Sequence, residues 1–243
     1  MPKRNYRQKT TGQAVKGVTT HLGVLSKPAL IFWGYRQGMD NFERLMAWIA
    51  EHSPDLMEEL KQFRVQSLYE KRDKAADAGT LGHLFIENHL KGLPDPKTDG
   101  ISKEIVEKAE GCYLTFLDWE KANIKKVIGS EIELTCEQWP YGGTIDHIIE
   151  SSVTPSGMVD ILDIKTGKDI YLDAKLQVRA YKFLWESHHS DQLIAGFHIL
   201  RLGENGEFTH KYFPQNTLGE GYFDIFLNCV RIGMTLEQLG EKL

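Results

Sequence analysis

No acidic residue precedes Asp40, so Lys3, Arg4, Arg7, Lys9, Lys16, Lys27 and Arg36 stand unopposed at the start of this 243-residue chain. Those seven belong to a total of 29 basic residues, and all 34 acidic ones follow, a split hidden by the modest net charge of −5. A basic arm on an acidic body suits phosphate contacts, with the acidic groups left to gather metal. A solvated tail has the same composition, and a mitochondrial transit peptide fits poorly because the stretch is Gly/Thr-rich rather than amphipathic. Only three cysteines occur, Cys112, Cys136 and Cys229, far apart and without a C-x-x-C pair. That excludes a zinc ribbon and a four-cysteine iron–sulfur cluster and points to reduced thiols in a cytosolic setting. No apolar run approaches the ~18 residues of a membrane span. A signal-peptide core, internal repeats and low-complexity segments are also missing.

What is present is ordinary globular material, 26% charged and 41% hydrophobic, long enough for one large domain or two small ones. Residues 1–14 read as irregular, and 18–25 as mildly apolar without a clear type. Pro28 suits the first turn of a helix that Gly34 and Gly38 weaken, with Asp40 as cap of a better one bearing Phe42, Leu45, Met46 and Ile49. Ser53-Pro54 starts another helix with Leu56, Leu60 and Phe63 on one face, running into the charged stretch Glu70–Asp77. Gly79 opens a further helix, and Ile101, Ile105, Ala109, Cys112 and Phe116 mark a long amphipathic one. From Val127 the period falls to two, giving a strand through Cys136, a turn at 139–143 and a strand from Thr144 to Glu150. After the turn Thr154-Pro155-Ser156-Gly157 comes the apolar run Met158, Val159, Ile161, Leu162. A helix over about 170–186 follows, with Leu172, Leu176, Ala180 and Phe183 as its core stripe. Strands over 193–202 and 208–213 and a helix from about Thr217, carrying Phe223, Phe226, Val230 and Leu236, complete the chain. That last helix either buries in its own domain or serves a subunit contact.

Chemistry concentrates at Asp163-Ile164-Lys165-Thr166-Gly167. In a strand Asp163 and Lys165 share a face while Ile164 points into the core. A carboxylate and an ammonium at a buried strand end are costly unless partnered. An ordinary salt bridge meets that need, and so does a divalent metal beside Asp163 with Lys165 aimed at the same reaction centre. Asp146 sits in an apolar strand where an unpaired carboxylate is unexpected. A meander of the three strands places Asp146 beside Asp163, and two converging carboxylates need a cation or a shared proton. His83 and Glu87, four apart, share a helix face, as do Gln177 and Tyr181. Each of these four also has a plain reading as a core histidine or a helix surface residue.

In chain order the unusual residues are Gly79-Thr80-x-x-His83-x-x-x-Glu87, Glu131, Gly142-Gly143-Thr144-Ile145-Asp146, Asp163-Ile164-Lys165-Thr166-Gly167 and Gln177-x-x-x-Tyr181. Together they resemble the PD-(D/E)xK nuclease superfamily, in the RecB-like exonuclease branch common in bacteriophages and in CRISPR adaptation nucleases. The resemblance covers roughly His83 to Tyr181. It implies an α/β (α+β) fold with a central mixed β-sheet flanked by helices, a restriction-endonuclease-like core behind an N-terminal helical region. As a single nuclease domain over 1–243, the chain would comprise a basic arm and helical region (1–78), a catalytic core (79–215) and a C-terminal helix (216–243).

The same resemblance implies metal ligation by His83, Asp146, Asp163 and the Ile164 backbone carbonyl, with Glu87 or Glu131 as holders of a second metal. Lys165 would orient the attacking water, and Gln177, Tyr181 and Thr166 would contact DNA, as would Lys3, Arg4, Arg7 and Lys9 from the arm. Mg²⁺ is the expected cofactor, with Mn²⁺ able to replace it because His83 softens an oxygen-rich site. Two metals would stabilise the attacking and leaving oxygens of an in-line displacement. No iron–sulfur cluster is expected. The implied activity is a metal-dependent DNA exonuclease for recombination or end resection, in the cytoplasm of a bacterium or phage-infected cell. Its expected partners are DNA ends, duplex foremost, a second copy of the chain and a single-strand annealing or recombination protein, with no membrane. An endonuclease of restriction or junction type, and a non-cleaving nucleic-acid-binding module, are the rival readings on the same core.

Overall fold

The computed structural model of the chain describes residues 5–25, 28–53, 55, 68–166, 169–202 and 207–241. Lys3, Arg4, Lys27, the Leu56–Leu60–Phe63 face, Gly167 and the turn at 203–206 lie outside the described residues. The chain divides into two compact units, Leu25–Arg72 and, together, Met1–Val24 with Asp73–Leu243. All the strands belong to the second of these.

That unit is built on a seven-stranded sheet. Its strands are β1 (Tyr6–Arg7), β2 (Ala14–Gly17), β3 (Ile124–Thr135), β4 (Tyr141–Ser151), β5 (Val159–Thr166), β6 (Ile194–Leu202) and β7 (Phe208–Pro214). The order is β1-β2-β4-β5-β6-β7, with β3 also paired to β4. β2 runs parallel to β4 and β5 parallel to β6, while the remaining pairs are antiparallel. The sheet is therefore mixed, and the expected β3–β4–β5 meander is present.

Helices cover both faces. On one, α1 (Val18–Leu22), α5 (Leu172–His188) and α6 (Glu220–Gln238) pack Leu22, Leu176, Leu184, Phe226 and Val230 against Ile145, Ile161, Phe197 and Ile199. On the other, α3 (Leu68–Leu90) and α4 (Lys103–Asn123) pack Ile86, Cys112 and Phe116 against Ile149, Leu162, Ile164 and Leu200. The expected fold class, a mixed sheet between helical layers, is what forms. The three cysteines are buried as thiols. Among the described residues no helix is long and apolar enough to cross a membrane.

Several local expectations do not hold. Residues 5–17 are not irregular but form the β1–β2 hairpin. Its turn is fixed by Gln8, which donates from Nε2 to the Cys136 carbonyl at 2.9 Å, and by Glu137, which accepts from the Lys9 amide at 2.6 Å and from Thr10. Gly34 and Gly38 do not interrupt α2 (Pro28–His52), so Asp40 caps nothing. Gly79 opens no new helix, because α3 runs through it and lays Gly82 on Ala109 and Leu202, where a helix without a side chain packs closely. Tyr141–Gly143 is strand rather than turn, and Leu172 is exposed while Gln177, Val178, Arg179 and Tyr181 join the buried side of α5.

One buried polar chain went unread in the sequence. Asp160 accepts from Ser151 Oγ at 2.7 Å and lies 3.4 Å from His198 Nε2, and His198 Nδ1 is 2.9 Å from His210 Nε2. Burial, and then the charge of His198, push the His210 imidazole down to about 4.

Close packing around β4 is tested at Gly143, where an added Cβ would lie 2.5 Å from Tyr181 Cε1 and 3.2 Å from Val18 Cγ2. Tyr181 is buried and held by Gln177, so neither neighbour yields easily. Gly143→Ala is expected to cost about 1–3 kcal/mol in urea denaturation. Combined with Tyr181→Leu the two losses should sum to less than their separate values.

Candidate metal centre

β4 and β5 stay paired only from Ile149↔Asp160 to His147↔Leu162. Beyond that point β5 remains in register with β6 through Thr166↔Leu202, while the same edge of β4 is taken up by β2 at Tyr141 and Gly142. The stretch before His147 on β4 and the stretch after Leu162 on β5 thus face each other across a gap in the sheet. Asp146 reaches over it: its Oδ2 accepts the Ile164 backbone N–H at 3.0 Å. The N–H and C=O of one strand residue leave by the same edge, so the Ile164 carbonyl is directed to the gap as well.

Alternation breaks at the same place. Ile145 and Ile148, three apart, both lie in the α5-side core, while His147 bonds Ser130 and Ile149 lies in the α4-side core. Opposite them Glu131 falls between the pairs Ser130↔His147 and Ile132↔Ile145. Its φ of 53° makes it the only non-glycine at positive φ among the described residues. A glutamate in the left-handed region is strained, and such strain persists only where the surroundings hold it. Here it turns the Glu131 carboxylate toward Asp146 and His83. Ligand atoms of His83, Glu131 and Asp146 all lie within 4.8 Å of one another. His83 Nε2, on α3, is 3.8 Å from Asp146 Oδ2 and is buried without a hydrogen-bond partner.

That orphaned nitrogen tests the fit of a divalent ion, since buried polar atoms normally have a partner. One imidazole nitrogen and two carboxylates whose ligand atoms converge suit a divalent ion such as Mg²⁺ or Mn²⁺. The residues present fit such an ion.

Asp163 and Lys165 form the other bank. Asp163 is fully buried, and Lys165 Nζ lies 2.7 Å from its Oδ2 and 2.9 Å from its Oδ1. Burial raises the Asp163 carboxyl to about 6, against the pull of Lys165 and with the help of Asp146. Burial works against the Lys165 charge too, but Asp163 and Asp146 outweigh it and raise that group above its ordinary value. Asp163 is not among the three converging ligands.

Other expected site residues divide similarly. Ile164 packs in the core, as strand alternation requires. Glu87 pairs with Lys91 and stays outside the cluster. Gln177 and Tyr181 are buried, with Gln177 Nε2 donating to Tyr181 Oη at 2.8 Å. Burial, and then Asp146 and Asp163, raise the Tyr181 phenol, so it stays protonated beside the carboxylates. Thr166 closes β5 in register with Leu202. Arg7 donates to the Gly12 carbonyl at 3.0 Å, and Lys9 is exposed in the hairpin turn.

No family model matches the chain, and no curated protein matches it in sequence. A solved structure from Eubacterium rectale, named "Putative exonuclease", is similar at 15% identity and a TM-score of 0.44, over 68% of this chain and 69% of that one.

His147 was not singled out in the sequence, although a histidine directly after Asp146 in an apolar strand was visible there. It is fully buried, accepts or donates through Nδ1 to Ser130 Oγ at 2.8 Å, and burial lowers it to about 4. It therefore adds no positive charge to the centre at neutral pH.

The raised Asp163 carboxyl predicts a pH effect. In the native state it holds its proton to about 6, whereas in the unfolded chain it loses it near 3.8. Its contribution is thus fully present below 3.8 and is lost as pH rises through about 6. With chelator present, the difference in stability between wild type and Asp163→Asn should shift in favour of Asn across that window, measured by urea denaturation at stepped pH. A difference that does not change with pH would contradict the assignment.

Proposed function

We propose that this chain is a metal-dependent DNA exonuclease of the RecB-like PD-(D/E)xK type, hydrolysing phosphodiester bonds from DNA ends. The observation that carries the reading is the meeting of His83, Glu131 and Asp146 in a strand gap, facing the Asp163–Lys165 pair. Pairing of opposite charges accounts for Asp163 and Lys165. It leaves His83 Nε2, where the three ligand groups converge, without a partner.

His83, Glu131 and Asp146 would hold Mg²⁺ or Mn²⁺, with Asp163 and the Ile164 carbonyl on the opposite bank. Such an ion supplies charge stabilisation at the phosphoryl oxygens. Lys165 keeps its proton and so donates rather than ligates, fixing the attacking water against the phosphate, while Asp163 fixes Lys165. Tyr181, protonated and braced by Gln177, borders the carboxylates from the α5 side. Phosphates of the bound strand would be met by Thr166, Lys9 and the remaining donors of Arg7. No covalent intermediate is required. Recombination or end resection is the process such an activity serves.

The test is digestion of end-labelled linear duplex and covalently closed circles in Mg²⁺ or Mn²⁺. Linear DNA should be degraded to short products while circles survive. Asp146→Asn, Asp163→Asn and Glu131→Gln should each abolish cleavage, and Lys165→Ala should lower the rate by about 10²-fold or more. By calorimetry, Lys165→Ala should still bind Mn²⁺ and Asp146→Asn should not. Wild-type cleavage by both Asn variants would misplace the site, and rapid linearisation of circles would replace the exonuclease by an endonuclease.

A further inference from the structure

The N-terminal hairpin brings an aromatic side chain to the approach of the metal centre. Tyr6 lies over Gly17 and Gly142, which are partners in the parallel β2–β4 register. An added Cβ would stand 3.0 Å from Tyr6 Cε2 at Gly17 and 2.7 Å from Tyr6 Cβ and Cγ at Gly142. Both positions must lack a side chain for the ring to span the two strands. The Tyr6 hydroxyl is satisfied by Thr144 Oγ1 at 3.0 Å. Gly142 and Thr144 share one face of β4, so Tyr6 and Thr144 form a line leading toward Asp146, which is about 13 Å from Gly142 and about 7 Å from Thr144 along the strand at ~3.3 Å per residue.

The hairpin that delivers Tyr6 is fastened rather than loose. Gln8 holds the Cys136 carbonyl, Glu137 holds the Lys9 amide and Thr10, and Arg7 closes on Gly12. Burial of an aromatic explains core packing, but Tyr6 is only half-buried. Its hydroxyl is already used and its ring spans the glycine floor, which leaves aromatic surface as the part still open to a ligand. Such surface takes the face of a base, whatever its identity.

We propose that Tyr6 is a substrate-positioning residue that stacks on a nucleobase of the strand entering the centre, a few nucleotides from the phosphate being cut. This rests on the nuclease reading above. It gives the glycine pair and the fastened hairpin one purpose, a flat and pre-ordered platform beside the ligands.

The test uses the full-length protein in Ca²⁺ and fluorescein-labelled single-stranded oligonucleotides, intact or with one abasic position moved stepwise from the end. Tyr6→Phe should bind as wild type does. Tyr6→Leu should bind intact strands about 5- to 100-fold more weakly, the range expected for one stacked base. At one abasic position, and only there, wild type and Tyr6→Leu should bind alike. A loss in Tyr6→Leu that is the same on every abasic strand would make Tyr6 a structural residue and overturn the proposal, as would equal binding to intact DNA. Cleavage in Mn²⁺ separates the two readings. A protein that cuts DNA with no base-dependent Tyr6 effect keeps the nuclease and loses the platform. A protein showing that effect without cutting keeps the platform and loses the nuclease, and one that binds no DNA loses both.

Discussion

An antiparallel pair that separates leaves backbone N–H and C=O groups facing each other too far apart to bond, and between β4 and β5 this happens beyond His147 and Leu162. A buried amide without a partner costs about 1–3 kcal/mol. Asp146 removes that cost for Ile164 by supplying a carboxylate oxygen in place of the missing carbonyl. The bond fixes where Asp146 can point, and with it where His83 and Glu131 find a common neighbour. The gap, the broken alternation and the strained Glu131 are consequences of one departure from regular pairing.

Charge then sorts the two banks. Burial raises the Asp163 carboxyl to about 6, and Asp163 first and Asp146 second hold the charge on the Lys165 that pairs with it. Across the gap, the ligand atoms of Glu131 and Asp146 meet an imidazole nitrogen that has no hydrogen-bond partner. A divalent cation would balance that side without disturbing the ion pair on the other, so acid and ammonium could sit next to each other without cancelling the site. The neutral His147 behind Asp146 and the protonated Tyr181 on the far face keep further charge away.

Much of this was legible in the residues. Period-two patterning gave β3, the turns around it bounded β4, a short apolar run gave β5, and an acid among isoleucines marked Asp146. Alternation also put Ile164 in the core and Lys165 beside Asp163. It failed where regularity itself failed. Glu131 reads as an outward residue of an alternating strand, and only its left-handed backbone turns it to the centre. Glycines misled in two directions: within α2 and α3 they looked like breaks, and in β4 they looked like a turn, whereas Gly142 and Gly143 are strand positions cleared for Tyr6 and Tyr181. The hairpin of residues 5–17 lacked apolar alternation because its stability comes from hydrogen bonds to Cys136 and Glu137, which are remote in sequence.

The central claim is that one divalent cation sits in the strand gap on His83, Glu131 and Asp146. Diffraction from crystals grown with Mn²⁺, recorded at the manganese absorption edge, tests it directly. The account predicts an anomalous peak within bonding distance of His83 Nε2 and of a carboxylate oxygen from each of Glu131 and Asp146. A map with no peak there at saturating Mn²⁺, or with its peak on other residues, would contradict it.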